Sequence, residues 1–121
     1  MALRAIRGAV TLSCDSKEEV INKVQQLLNE IFRCNCITKD DIISIIFSAT
    51  PDITCMYPAT AARLMGLDDV ALFGAQELFP ENAMPLCIRV LIHTESSLEK
   101  SQIKHVYLGD AAKLRNYDLN K

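Results

Sequence analysis

Two arginines stand inside apolar, strand-like runs of this chain: Arg7 in Ala5-Ile6-Arg7-Gly8-Ala9 and Arg89 in Cys87-Ile88-Arg89-Val90. A guanidinium inside a strand is costly unless a carboxylate or phosphate meets it. In the first run Ile6, Val10 and Leu12 share one face, and Ala5, Arg7, Ala9 and Thr11 share the other. The second face, small side chains around one arginine, leaves room for a ligand. Gln76-Glu77 lies between the two arginines and Tyr107 follows them. Together these residues describe a polar pocket for a small polyanion.

The bulk properties keep that chemistry local. The formal net charge is −2, with no long run of one sign. Neither a nucleic-acid footprint nor a membrane patch is supported. The 121 residues suit one domain, 1–121, ending in a polar tail at 116–121. At 50% hydrophobic residues it can bury a core without a disulfide or metal staple. Met1-Ala2-Leu3-Arg4 leads straight into alternating residues rather than the apolar stretch of a signal peptide. No segment reaches bilayer-spanning length, so the cytoplasm is the expected location. The five cysteines include no Cys-x-x-Cys, and His93 and His105 lie far from Cys34-Asn35-Cys36. Reduced thiols, no metal and no cofactor are expected.

The pattern predicts strand, helix, strand, helix, strand, strand. Residues 3–12 read as the first strand. Ser16 and Glu19 have capping-box spacing, and Val20, Val24, Leu27, Leu28 and Ile31 recur at helical intervals. That helix should end near Cys34, with Asn35 as a left-handed terminus. Thr38-Lys39-Asp40-Asp41 caps a turn before Ile42 to Phe47, an apolar run fitting a strand covered on both faces. Pro58 opens a short helix that Gly66 closes. Val70 to Phe73 and Cys87 to Thr94 read as strands around a loop bracketed by Pro80 and Pro85, and Lys104 to Leu108 as a brief extended segment. The expected fold class is α+β, one mixed sheet with helices on one face. So few helices leave the other face for a second subunit to cover.

Five segments recur together: Ile6-Arg7-Gly8-Ala9, Ser48-Ala49-Thr50-Pro51-Asp52, Gln76-Glu77, Cys87-Ile88-Arg89-Val90 and His105-Val106-Tyr107-Leu108. In this order and spacing, the chain resembles the AroH class of monofunctional chorismate mutases from about residue 3 to about residue 116, with a small length change after Gly66. The resemblance implies a homotrimer whose sheets form a pseudo-α/β-barrel, with active sites at subunit interfaces. It implies rearrangement of chorismate to prephenate, in phenylalanine and tyrosine biosynthesis, without cofactor. By resemblance Arg89 stabilises the breaking ether oxygen, Arg7 and Tyr107 bind carboxylate, and Glu77 accepts a hydrogen bond from the ring hydroxyl. Tyr57, Ala59 and Arg63 would line the site from a neighbouring subunit, and Phe73, Gly74, Ala75, Gln76 and Leu114 would contact substrate.

Each of these residues also has a plainer reading. Arg89 could be an edge-strand arginine reaching solvent, and Arg7 could pair with an acid of this chain, Glu77 among them. Glu77 could be a solvated loop carboxylate, Tyr107 an aromatic at a subunit contact and Arg63 an exposed helix residue. Phe73 and Gly74 replace a small polar residue and a cysteine common in the family, and Thr60 stands where a lysine can occur. Two other functions compete. One is a trimeric enamine/imine deaminase, whose motifs do not match Ser48 to Asp52 or His105 to Leu108. The other is a non-catalytic trimeric module that binds a small carboxylate.

Overall fold

The structure, a computed structural model, describes residues 1–119, with side chains described as far as residue 115. Strand β1 (Ala2–Thr11) leads to helix α1 (Lys17–Asn35), then β2 (Ile42–Ala49), helix α2 (Pro58–Leu64), β3 (Ala71–Gln76), β4 (Cys87–Ser96), β5 (Val106–Leu108) and helix α3 (Ala112–Leu119). The five strands make one mixed sheet in the order β3-β2-β4-β1-β5. The central β2-β4 and β4-β1 pairs are antiparallel, while the outer β3-β2 and β1-β5 pairs are parallel. The expected mixed sheet and α+β class are therefore observed. Residues 116–119 of the expected polar tail belong to α3, and positions 120–121 lie outside the described residues.

The core lies on one face of the sheet. Ile6, Val10, Ile45, Phe47, Ile88 and Ile92 of the strands are buried against Val20, Val24, Leu27, Leu28 and Ile31 of α1 and the alanines of α2. The helical spacing of those α1 residues is what puts them in one stripe. Gly8 lets α1 sit close. A Cβ there would lie 2.7 Å from Ile31 Cδ1 and 3.2 Å from the Val106 carbonyl oxygen. One expectation needs correcting. The helices do not all share this face, because Ala9 and Cys87 on the opposite side pack with Ala111, Met84, Tyr107 and Leu114. Chain that leaves the edge strand β5 folds over that corner, where small residues let it approach.

Three local expectations are also corrected. The left-handed terminus of α1 is Cys36 (φ 52°), not Asn35. Asn35 is buried instead, its Nδ2 donating to the Ile31 and Lys104 carbonyls while Oδ1 accepts from the Lys104 N–H. Ser16 caps α1 as expected, accepting from the Glu19 N–H at 3.2 Å, but the Glu19 carboxylate reaches back to the Ser13 N–H and hydroxyl. β2 is not covered on both faces in the single chain: Ile43 is exposed at a bulge between Ile42 and Ser44, and Ile46 is exposed because alternation turns it to the open face. β3 runs to Gln76, three residues beyond the expected end, because parallel pairing with β2 continues through Ala49↔Gln76. No helix among the described residues is long and apolar enough to cross a membrane. All five cysteines are free thiols.

Candidate active site

Register places the chemistry on the open face. Reading across the sheet, Tyr107 of β5, Ala9 of β1, Arg89 of β4, Ser48 of β2 and Ala75 of β3 are successive partners in one row. The next row holds Arg7, Leu91, Ile46 and Phe73. Side chains directly opposite in neighbouring strands share a face. Arg7 and Arg89 therefore come together two residues apart along the antiparallel β1-β4 ladder. A cavity of about 220 Å³ is lined by Arg7, Arg89, Ser48, Tyr107, Ile46 and Leu91.

Glu77 follows β3 and is tied to β2 twice. Its N–H donates to the Ala49 carbonyl at 3.0 Å, and its Oε2 accepts from Ser48 Oγ at 2.7 Å. The same oxygen lies 3.5 Å from Arg89 Nε. Glu77 is thus the acid that meets Arg89. Both side chains keep a third or so of their surface exposed, 40% for Arg89 and 30% for Glu77. Such a pair adds little stability, so its consequence is orientation. Glu77, Arg89, Met84, Cys87 and Leu114 border a further cavity of about 480 Å³. Burial pushes the Cys87 thiol pKa up, with the Arg89 charge opposing. Arg7 is held through its backbone, whose N–H donates to His105 Nδ1 at 2.9 Å.

The remaining candidates gather elsewhere in the chain. Tyr57, Gly74, Ala75 and Gln76 border a separate cavity of about 620 Å³ at the end of β2 and β3. Phe73 is exposed on the edge strand β3. Ala59 is buried in α2, and Arg63 on the same helix donates to Thr60 Oγ1 at 3.1 Å. One chain thus brings together Arg7, Arg89, Glu77, Tyr107 and Leu114, and separately brings together the residues around Tyr57. Sequence reasoning missed the supporting parts played by Ser48 and His105. Both lie in segments already singled out, and a hydroxyl directly across from a strand arginine was the available signal.

The loop leading to Tyr57 is tethered by Asp15. Its carboxylate accepts from the Thr54 hydroxyl at 2.6 Å, the Thr54 N–H at 3.0 Å and the Cys55 N–H at 3.2 Å. The Thr54 side chain first, then the Cys55 side chain and the two backbone groups, lower its pKa from 3.8 to about 2. A carboxyl lowered on folding stabilises the fold above its unfolded pKa, and that contribution fades as pH falls toward the folded value. Asp15→Asn is therefore expected to lower the thermal midpoint at pH 7. The gap to the parent protein should close between about pH 4 and about pH 2. Thermal scans of both proteins across that range check it, and a gap independent of pH would contradict the tether.

Known proteins resemble this chain along nearly its whole length. The family model for chorismate mutase type I matches residues 3–118. The chorismate mutase AroH of Bacillus subtilis is 37% identical over 116 residues, covering 95% of this chain and 91% of that protein. The AroH protein of Thermus thermophilus is 34% identical over 114 residues, 93% of either chain. A solved chorismate mutase from Clostridium thermocellum matches with a TM-score of 0.88 at 42% identity, over 90% of this chain and 97% of that one. With a family match across nearly its whole length, and a sheet that sets two arginines and a glutamate on one polar face, this chain belongs to the type I chorismate mutases.

Proposed function

We propose that this protein is an isomerase that rearranges chorismate to prephenate in aromatic amino acid biosynthesis. The observation that carries the reading is Arg89, seated in the middle of the sheet's open face, oriented by Glu77 and flanked by Arg7 and Tyr107. Chorismate carries two carboxylates, a ring hydroxyl and an enolpyruvyl ether. Its [3,3] shift breaks one carbon–oxygen bond and forms one carbon–carbon bond, with nothing added or removed. The protein's work is to hold the reactive conformer and to stabilise charge as it develops.

Arg7 and Tyr107 clamp carboxylate oxygens, the guanidinium as a bidentate donor. Electron density builds on the ether oxygen as its bond breaks. Arg89 beside that oxygen binds the transition state better than the ground state, which lowers the barrier. Glu77 accepts from the ring hydroxyl while keeping Arg89 in place through Nε. Tyr57, Ala59 and Arg63 complete the pocket from the neighbouring subunit of a homotrimer, and residues 73–76 contact substrate. Two observations support this assembly. The open face exposes Leu3 (60%), Ile46 (39%) and Phe73 (66%), an apolar area that a second sheet would cover. The Tyr57 group also borders a different cavity from the Arg7–Arg89 group within one chain. In this reading the chain is a single cytoplasmic domain, and three sheets enclose a pseudo-barrel.

The test is direct. Purified protein mixed with chorismate, without metal or cofactor, should consume its ultraviolet absorbance and yield prephenate. Light scattering should report three times the 13.5 kDa chain mass. A folded trimer that yields no prephenate would sink the catalytic reading, and a fully active monomer would sink the interface.

A further inference from the structure

Arg89 sits only three residues after Leu86, which has a left-handed backbone (φ 50°). That region is unfavourable for a residue with a branched side chain, so neighbours must hold it there. The holders are visible. Asp52 Oδ2 accepts the Leu86 N–H at 2.9 Å, and the Leu86 carbonyl accepts the Leu12 N–H at 2.8 Å. Thr50 grips the next residue on both sides. Its Oγ1 accepts the Cys87 N–H at 3.0 Å, and its own N–H donates to the Cys87 carbonyl at 3.0 Å. The Thr50 hydroxyl in turn donates to Asp52 Oδ1. Thr50 is 3% exposed and Asp52 half-buried, so this contact is partly shielded from water.

The clamp stands where β4 begins, and the register of β4 decides which side chain faces the pocket. Ile88 is fully buried on the helix side while Arg89 faces the open side. A slip of one residue would exchange the two faces along the strand. Ser48 at the end of β2 orients the glutamate that holds Arg89, and Asp52 in the turn just after it holds the entry of the Arg89 strand.

We propose that Asp52, acting with Thr50, is a positioning residue for Arg89: it holds Leu86 left-handed and so fixes the register in which Arg89 enters the site. The proposal rests on the chorismate reading for its kinetic readout only. Misplacement of a catalytic group by about 1 Å can cost about a hundredfold in rate. Asp52→Ala is accordingly expected to lower kcat by about tenfold or more, with a smaller change in KM.

The decisive comparison is a double-mutant cycle with Leu86→Gly, because glycine takes a left-handed backbone without steric cost. Asp52→Ala should cost far less in the Leu86→Gly background than in the parent. The ¹⁵Nε resonance of Arg89, read without substrate, should shift in Asp52→Ala and return toward its starting position when Leu86→Gly is added. If Asp52→Ala alone does not fold, recovery of folding in the double variant supports the same assignment. A folded Asp52→Ala protein with parental kcat and an unmoved Arg89 resonance would overturn it, as would a defect that Leu86→Gly leaves unrelieved. A parent protein without turnover, but with the Arg89 resonance moving as described, would overturn the chorismate reading and leave the clamp standing.

Discussion

Citrulline in place of Arg89 should lower turnover of chorismate by about a hundredfold or more while leaving the fold intact. Citrulline keeps the length and planarity of the side chain and three of its five N–H donors, while it removes the charge and puts a carbonyl oxygen in place of one NH2 group. If Arg89 acts on the negative charge that grows on the ether oxygen, the loss falls on kcat and much less on KM. The lost ion pair with Glu77 should cost little stability, because both side chains are partly solvated and the Ser48 hydroxyl still anchors the carboxylate. Steady-state kinetics, with circular dichroism to verify folding, read the result. Near-normal turnover would mean that position 89 supplies hydrogen bonds alone, and electrostatic stabilisation at this residue would have to be abandoned.

A substantial loss of stability is expected at Asn35→Ala. Asn35 is 1% exposed and bridges α1 to the segment before β5 through both backbone groups of Lys104. Truncation leaves that N–H and C=O without their partner. An unsatisfied buried group costs roughly 1–3 kcal/mol. The contact with Lys104 is only partly buried, so water recovers some of it, and a total near 2 kcal/mol is expected. This corresponds to a thermal midpoint lower by about 6–8 °C. Denaturation at fixed protein concentration measures it, since assembly shifts apparent stability. A change under about 0.5 kcal/mol, typical of an exposed site, would show that the bridge is dispensable. Because Tyr107 lies three residues beyond Lys104, the variant should also bind substrate more weakly.

Asn35 also shows where sequence reading reaches its limit. Local patterns announced the beginning of α1: Ser16 caps it, and the apolar stripe from Val20 to Ile31 is buried as spacing required. The alternation around Arg7 likewise separated the core face from the polar face of β1. Asparagine tolerates a left-handed backbone, which is why local sequence favours Asn35 as the terminus. The structure spends its side chain on a partner 69 residues away instead. The β2 bulge and the extra length of β3 escaped notice for the same reason, since pairing across strands decides both. In the site, the arginines, Glu77 and Tyr107 stood out by residue type. That Glu77 meets Arg89 could not be read from spacing, because the pairing of β2 with both β3 and β4 sets that geometry.

The sheet order has a consequence for the timing of synthesis. β1 is made first, yet its ladders are with β4, which ends at Ser96, and with β5, which ends at Leu108. At about 5–20 residues per second, the first strand waits several seconds after it is made before β4 has been translated. An unpaired apolar strand is a template for aggregation during that interval, and charges within it act as gatekeepers. Arg4 and Arg7 interrupt β1 twice. The arginine proposed to grip a carboxylate thus also acts as a charge that disfavours pairing of the nascent strand with the wrong chain.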